Sequence, residues 1–197
     1  STGLVVTTKY YPATPPACVA HTADRNDSRV ITYQMASSGL DVVFGSGNKR
    51  INDETLKIFE ENGTEYIKDD IEAFRNYNGT GKVWALFAES DMSYDMDRDP
   101  SKEPSLEEMT RKAIELLSRD KDGFVLMVEG SQVDFAAHAT DPIGIVSEFL
   151  AFDRAVGVAM DFAKKDGNTT VVVLPDHGTS GVTLGKFGYS KGYRKGL

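Results

Sequence analysis

Gly123-Phe-Val-Leu-Met-Val-Glu-Gly-Ser-Gln-Val-Asp-Phe-Ala-Ala-His138 is the stretch whose reading decides the fold. Phe124 to Val128 is an unbroken apolar run, too short for a helix of its own, and it predicts a strand buried on both faces. The run stops at Glu129-Gly130, so a carboxylate falls at the strand's carboxyl end, the edge where open α/β sheets hold their ligands. Asp134 and His138 follow, four residues apart, and on a helix they share one face. Glu, Asp and His so placed are oxygen and imidazole donors suited to divalent cations.

A second piece answers the first. Thr169-Thr-Val-Val-Val-Leu174 is apolar and β-branched and ends at Pro175-Asp176-His177-Gly178. It predicts another buried strand that delivers an Asp and a His at its tip. Only 3 His occur in the chain. Two of them, His138 and His177, stand in these clusters; His21 has no ligand-like neighbour and reads as structural. The expectation is that two neighbouring strand ends bring both Asp/His couples and Glu129 together.

Outward from these runs, strands and helices alternate. Strands are expected at 4–7, 41–44 and 82–87. Helices are expected at 31–38, 53–62 (capped by Asp53 and stopped by Gly63), 71–77, 106–118 (capped at Pro104-Ser105) and 143–165. Thr14 is placed like an N-cap with Pro15 at the first helical position, and Arg25 is expected further along that helix. In the 143–165 helix the apolar spacing of Ile145, Phe149, Phe152, Val156, Met160 and Phe162 points these residues at the core. Residues 89–103 form an acidic loop, read as a solvated excursion, with a Ca²⁺-binding loop as the lesser reading. Alternation of this kind means βαβ units. The fold class is therefore α/β, a three-layer αβα sandwich with a mainly parallel central sheet in a single domain over residues 1–197.

With 197 residues, the chain is long enough for one sizeable core. The formal net charge of −8 and pI near 4.9 argue against a nucleic-acid-binding face. Cys18 stands alone, which rules out an intrachain disulfide and thiolate zinc sites. No apolar run approaches the roughly 20 residues of a transmembrane helix, and no signal peptide is visible. No Gly-x-Ser-x-Gly elbow occurs, so a Ser-His-Asp hydrolase is disfavoured.

Asp and His without Cys make up the palette of catalytic zinc, whereas Glu with a hydroxyl such as Thr14 suits Mg²⁺. Paired metals suit in-line phosphoryl displacement, and an Arg can fork onto phosphate oxygens; Arg25 is the candidate.

At these residues the sequence resembles the alkaline phosphatase family. The resemblance is carried by Val128-Glu-Gly-Ser-Gln-Val-Asp-Phe-Ala-Ala-His138 with Pro175-Asp-His177, by Gly3-Leu-Val-Val-Thr-Thr8, Ala13-Thr-Pro-Pro-Ala17, Ala20-His-Thr-Ala-Asp-Arg25, Asp41-Val-Val-Phe-Gly-Ser-Gly47, Leu86-Phe-Ala-Glu-Ser-Asp-Met92 and Pro104-Ser-Leu-Glu-Glu-Met-Thr110. It implies two zinc ions and one magnesium. Asp134 and His138 would hold the first zinc, Asp176 and His177 the second, Glu129 and Thr14 the magnesium, and Arg25 the substrate phosphate. It also implies hydrolysis of small phosphate monoesters through a phosphoserine, a homodimer, and a periplasmic or secreted location. The family's nucleophilic Ser, its early bridging Asp and a downstream His ligand of the first zinc have no counterpart here, and Pro12 replaces an Asp or His near the magnesium. Ala88 stands where a calcium site would want an acid. The chain thus reads as a central portion of such an enzyme, expected to be inactive by itself. The alternatives are a non-catalytic cation-binding α/β domain, or a related sulfatase, phosphodiesterase or mutase.

Overall fold

The computed structural model describes residues 1–182. Five strands, β1 (Thr2–Lys9), β2 (Val42–Ser46), β3 (Thr64–Lys68), β4 (Lys82–Leu86) and β5 (Val125–Glu129), form one sheet in the order β3-β4-β2-β1-β5. Every pairing is parallel. Parallel neighbours require crossovers, which the helices supply: α1 (Thr14–Ala17), α2 (Ser28–Ser37), α3 (Asp53–Asn62), α4 (Ile71–Asn76), α5 (Leu106–Leu117), α6 (Gln132–His138) and α7 (Pro142–Asp166).

Each face of the sheet has its own core. Alternate residues of a strand point to opposite sides. Leu4, Val6, Val43, Trp84 and Leu86 therefore pack with Ile31, Met35 and Ala36 of α2 and Phe59 of α3. Val5, Val42, Phe44, Val83 and Ala85 pack instead with Phe74 of α4, Met109, Ala113 and Leu117 of α5, and Ala155 of α7. The three-layer αβα arrangement is thus present, with the sheet buried between two helical layers.

The strand order has one functional consequence. From β1 the chain goes first to β2 on one side and only later, through α5, to β5 on the other. The order of connections therefore reverses between β1 and β5, which remain parallel, and their carboxyl ends flank the crevice that such a switch point opens.

Several expectations are corrected. Thr169–Leu174 is not a strand: Val172, Val173 and Leu174 are 72%, 54% and 68% exposed and pair with nothing among the described residues. An apolar run becomes a strand only with a ladder partner and cover on both faces, and here it has neither. β5 is consequently the sheet's edge and only half-buried, with Val125 pointing outward. β3, absent from the sequence reading, forms the opposite edge. Its Glu65 and Lys68 keep it polar, as edge strands often are.

The helix expected from Thr14 to Arg25 is a single turn. α1 ends at Ala17, and Thr14 lies inside it; the capping position is Ala13, which offers no side-chain bond. Beyond it, polar side chains bond their own backbone: Asp24 N–H to Thr22 Oγ1 at 3.2 Å and Asn26 N–H to Asp24 Oδ1 at 2.9 Å. Such local bonds compete with helix propagation. Arg25 therefore sits in an exposed turn, and Asp27 caps α2 through the Val30 N–H. Asn52, not Asp53, caps α3.

α7 is the long helix expected, and of the residues expected to face the core Phe152 packs against it and Phe162 against Phe124, but the most buried positions are others. Glu148, Ala151, Ala155 and Val158 face inward, while Phe149 and Met160 are exposed. Gly144, Ala151 and Ala155 let α7 lie close to its neighbours, while Phe149 and Met160 point outward.

The acidic loop is a brace. Lys9 Nζ reaches both Asp91 oxygens at 2.6–2.7 Å, Asp95 binds Arg98 and Arg154, and Glu103 accepts the Ser93 N–H. Asp99, bonded by Ser101 and Lys102, is pulled down to about 2. These acids already have partners, so the Ca²⁺ reading gains no support.

Glu148 of α7 is 4% exposed and accepts the Asp95 N–H. Burial pushes its carboxyl above the ordinary value, opposed by that hydrogen bond. A raised carboxylate holds its proton more tightly folded than unfolded. Its stabilising contribution is then full at low pH and is lost as pH rises through the carboxylate range. Glu148→Gln keeps an acceptor and removes the titration. Melting temperatures between about pH 4 and 7 should therefore change less with pH in this variant than in the wild type; equal slopes would show that Glu148 does not contribute.

Candidate metal-binding site at the strand ends

Glu129 closes β5 opposite Val6 of β1, at the switch-point edge of the sheet. Its Oε2 is buried without a hydrogen-bond partner among the described residues. Burial raises its carboxyl above the ordinary value, a hydrogen bond from Ser131 opposes the rise, and the nearby charges of Asp176 and Asp134 add to it. An unpaired buried carboxylate oxygen facing two more carboxylates is costly, and a cation would relieve it.

Gly130 then turns the chain. A Cβ there would meet Phe152 of α7 at 2.9–3.0 Å, so the turn lies flat against that helix. The turn launches α6, which places Asp134 Oδ2 3.4 Å from His138 Nε2, one helical turn on. The second couple is local: His177 Nε2 lies 3.1 Å from Asp176 Oδ2, and the Asp176 Oδ1 accepts the His177 N–H.

The two couples meet through a residue the sequence reading passed over. Thr179 Oγ1 donates to Asp134 Oδ1 and lies 3.2 Å from His177 Nδ1. The signal was available in the sequence: a hydroxyl two residues beyond His177 can reach back past it. Asp134, His138, Asp176, His177 and Glu129 therefore occupy one neighbourhood, although no second strand delivers the latter couple. Thr14 and Arg25 are exposed, and among the described residues neither is hydrogen-bonded or ion-paired to this cluster. Nor do any three His, Cys, Asp or Glu side chains close into one coordination shell among the described residues. Each couple offers two donors, Glu129 one more, and the mixture of imidazole and carboxylate fits zinc with an oxygen-preferring neighbour.

Fold and site together define a parallel αβα sandwich whose ionisable groups gather beyond the carboxyl ends of β1 and β5. The sequence profile of the alkaline phosphatase family matches residues 1–194. Alkaline phosphatase 4 of Bacillus subtilis is 41% identical over 201 residues, covering 95% of this chain and 42% of that protein. Among solved structures, the cold-active alkaline phosphatase of a psychrophilic Shewanella sp. superposes with a TM-score of 0.78 at 31% identity, covering 84% of this chain and 41% of that one. A variant of the TAB5 alkaline phosphatase with Mg bound in its M3 site follows at 0.76 and 34%, covering 85% of this chain and 49% of that one. The chain belongs to the alkaline phosphatase family. It spans about two fifths of the length of the curated relatives it matches.

Proposed function

We propose that this chain supplies the metal-binding core of a phosphate monoester hydrolase. The observation that supports the reading best is the meeting of Asp134–His138 with Asp176–His177 through Thr179, next to the unpartnered Glu129 oxygen. In this reading Asp134 and His138 hold one zinc, Asp176 and His177 a second, and Glu129 with Thr14 a magnesium. The bound cations would supply Lewis acidity and charge neutralisation for a phosphoryl group. This chain's residues do the rest. The Asp and His side chains fix where negative charge is tolerated. Thr179 engages Asp134 Oδ1 and His177 Nδ1, leaving Asp134 Oδ2 turned to His138 and His177 Nε2 turned to Asp176. Arg25, in the turn between α1 and α2, would fork onto two phosphate oxygens of the substrate. For Arg25 and Thr14 to join the cluster, the 11–27 segment has to fold over the strand ends.

Elemental analysis of the purified protein, together with hydrolysis of 4-nitrophenyl phosphate, tests this. Stoichiometric zinc with metal-dependent hydrolysis is expected of the protein this chain belongs to. The 197-residue chain assayed alone should retain metal without turning over, because no residue in it matches the family's nucleophilic Ser. A protein with neither zinc nor hydrolysis sinks the reading, and turnover by the chain alone overturns its inactivity. Thr179→Val, which removes the bridge, should weaken zinc retention by about 10–100-fold, as loss of an outer partner of a metal ligand does; unchanged retention would show that the bridge is incidental.

A further inference from the structure

α6 carries Asp134 and His138 but has little of its own to hold it. It is 7 residues long, and its capping residue, Ser131, makes no side-chain bond to it. A helix this short is not stable alone, so tertiary contacts decide its orientation. Ala136 and Ala137 press it against α7, where a Cβ added to Gly144 would come within 3.1 Å of Ala136 Cβ. Two methyl groups resist lifting but allow rotation and sliding. The polar pin is Gln132, 3% exposed, whose Nε2 donates to the Met92 carbonyl at 2.5 Å.

Met92 is itself fixed. Its N–H donates to Thr7 O of β1 at 3.2 Å, and the preceding Asp91 is clamped by Lys9 Nζ and by the Lys9 N–H at 3.1 Å. The acidic loop therefore connects the tip of β1, which neighbours Glu129 in the sheet, to the helix that bears the Asp/His couple. We infer that Gln132 is a positioning residue for the Asp134–His138 couple, fixing the rotation of α6 against β1 through Met92. This rests on the metal-binding reading above and deepens it.

Gln132→Met keeps the length and removes the donor; Gln132→Glu, near-isosteric and also without the amide donor, repeats the test if the first variant fails to fold. Two readouts are compared. The first is titration of the chain with Co²⁺ alone, followed by its visible absorption band. The second is hydrogen exchange of the metal-free chain, read peptide by peptide. The expected result is at least a fivefold weaker Co²⁺ affinity, with exchange at least tenfold faster in the α6 peptide while the peptides of β1, β2, β4 and α5 stay unchanged. Unchanged affinity with unchanged α6 exchange overturns the inference. So does exchange that accelerates equally throughout the sheet, because Gln132 would then be ordinary core. A wild-type chain that gives no Co²⁺ band, with exchange still accelerated selectively in α6 of the variant, upholds the anchor and sinks the metal reading instead.

Discussion

Glu129→Gln should raise the melting temperature of the metal-free chain at neutral pH and abolish its response to added Mg²⁺. The wild type buries a carboxylate oxygen that no donor among the described residues satisfies, with Asp176 and Asp134 adding like charge. A buried charged acceptor without a partner costs about 1–3 kcal/mol or more. The amide is neutral and nearly isosteric, so most of that cost disappears. For a chain of 197 residues, the gain corresponds to roughly 5 °C. The same change deletes the oxygen charge that a hard cation would need. Wild type should be stabilised by the cation through mass action, and the variant should not. Thermal denaturation of both proteins, with and without millimolar Mg²⁺, reads both effects. A destabilised variant would mean that Glu129 has a partner after all, and an equal response to Mg²⁺ would place the cation elsewhere. The prediction separates stability from function: a residue kept for structure is not expected to improve the fold when its charge is removed.

What the sequence made readable, and what it hid, follows from how far each signal reaches. The runs at Leu4, Val42, Val83 and Val125 are local, and each became a strand because a parallel sheet wants unbroken apolar segments. β3 was hidden because its pattern is that of an edge: only Ile67 of Thr64–Lys68 is buried, so there was no apolar run to see. Thr169–Leu174 misled for the opposite reason. Its composition is that of a buried strand, but composition cannot supply the neighbouring edge on which burial depends. α7 shows the same division. Its helical period was plain, yet a helix with apolar residues on more than one side does not announce which side is inward. Ala151 and Ala155 won the core because small side chains permit the close approach that Gly144 also serves, and Glu148 is buried because it accepts the Asp95 N–H.

The site divides along the same line. Asp134 with His138 depends only on one helical turn, and Asp176 with His177 only on adjacency, so both couples could be found from spacing. Their meeting depends on Thr179, and the brace of Lys9, Asp91, Met92 and Gln132 spans more than a hundred positions; no local pattern encodes either contact. Arg25 was misplaced because Thr22, Asp24 and Asn26 turn the chain with their own side chains before a helix can extend.

Trp84→Ala should be among the most damaging single substitutions in the chain, costing about 3–5 kcal/mol. Trp84 is 1% exposed on β4, between β3 and β2, with its ring centroid 5.3 Å from Tyr10 and 4.9 Å from Phe59. Removing it opens a large void where β4, α3 and the end of β1 meet, and Tyr10, held at its far end by a 2.9 Å bond to Thr32, cannot swing in to fill it. Phe149→Ser provides the contrast. Phe149 is as apolar in sequence as Trp84, but it is 58% exposed on the outer side of α7, and its loss should cost well under about 1 kcal/mol. Urea denaturation of the two variants against wild type checks both values. The melting temperature should fall by roughly 10 °C for Trp84→Ala and hardly move for Phe149→Ser. Comparable losses in the two would mean that the outward face of α7 is packed as tightly as the core between the sheet and α3, and the assignment of inner and outer faces would have to be reversed.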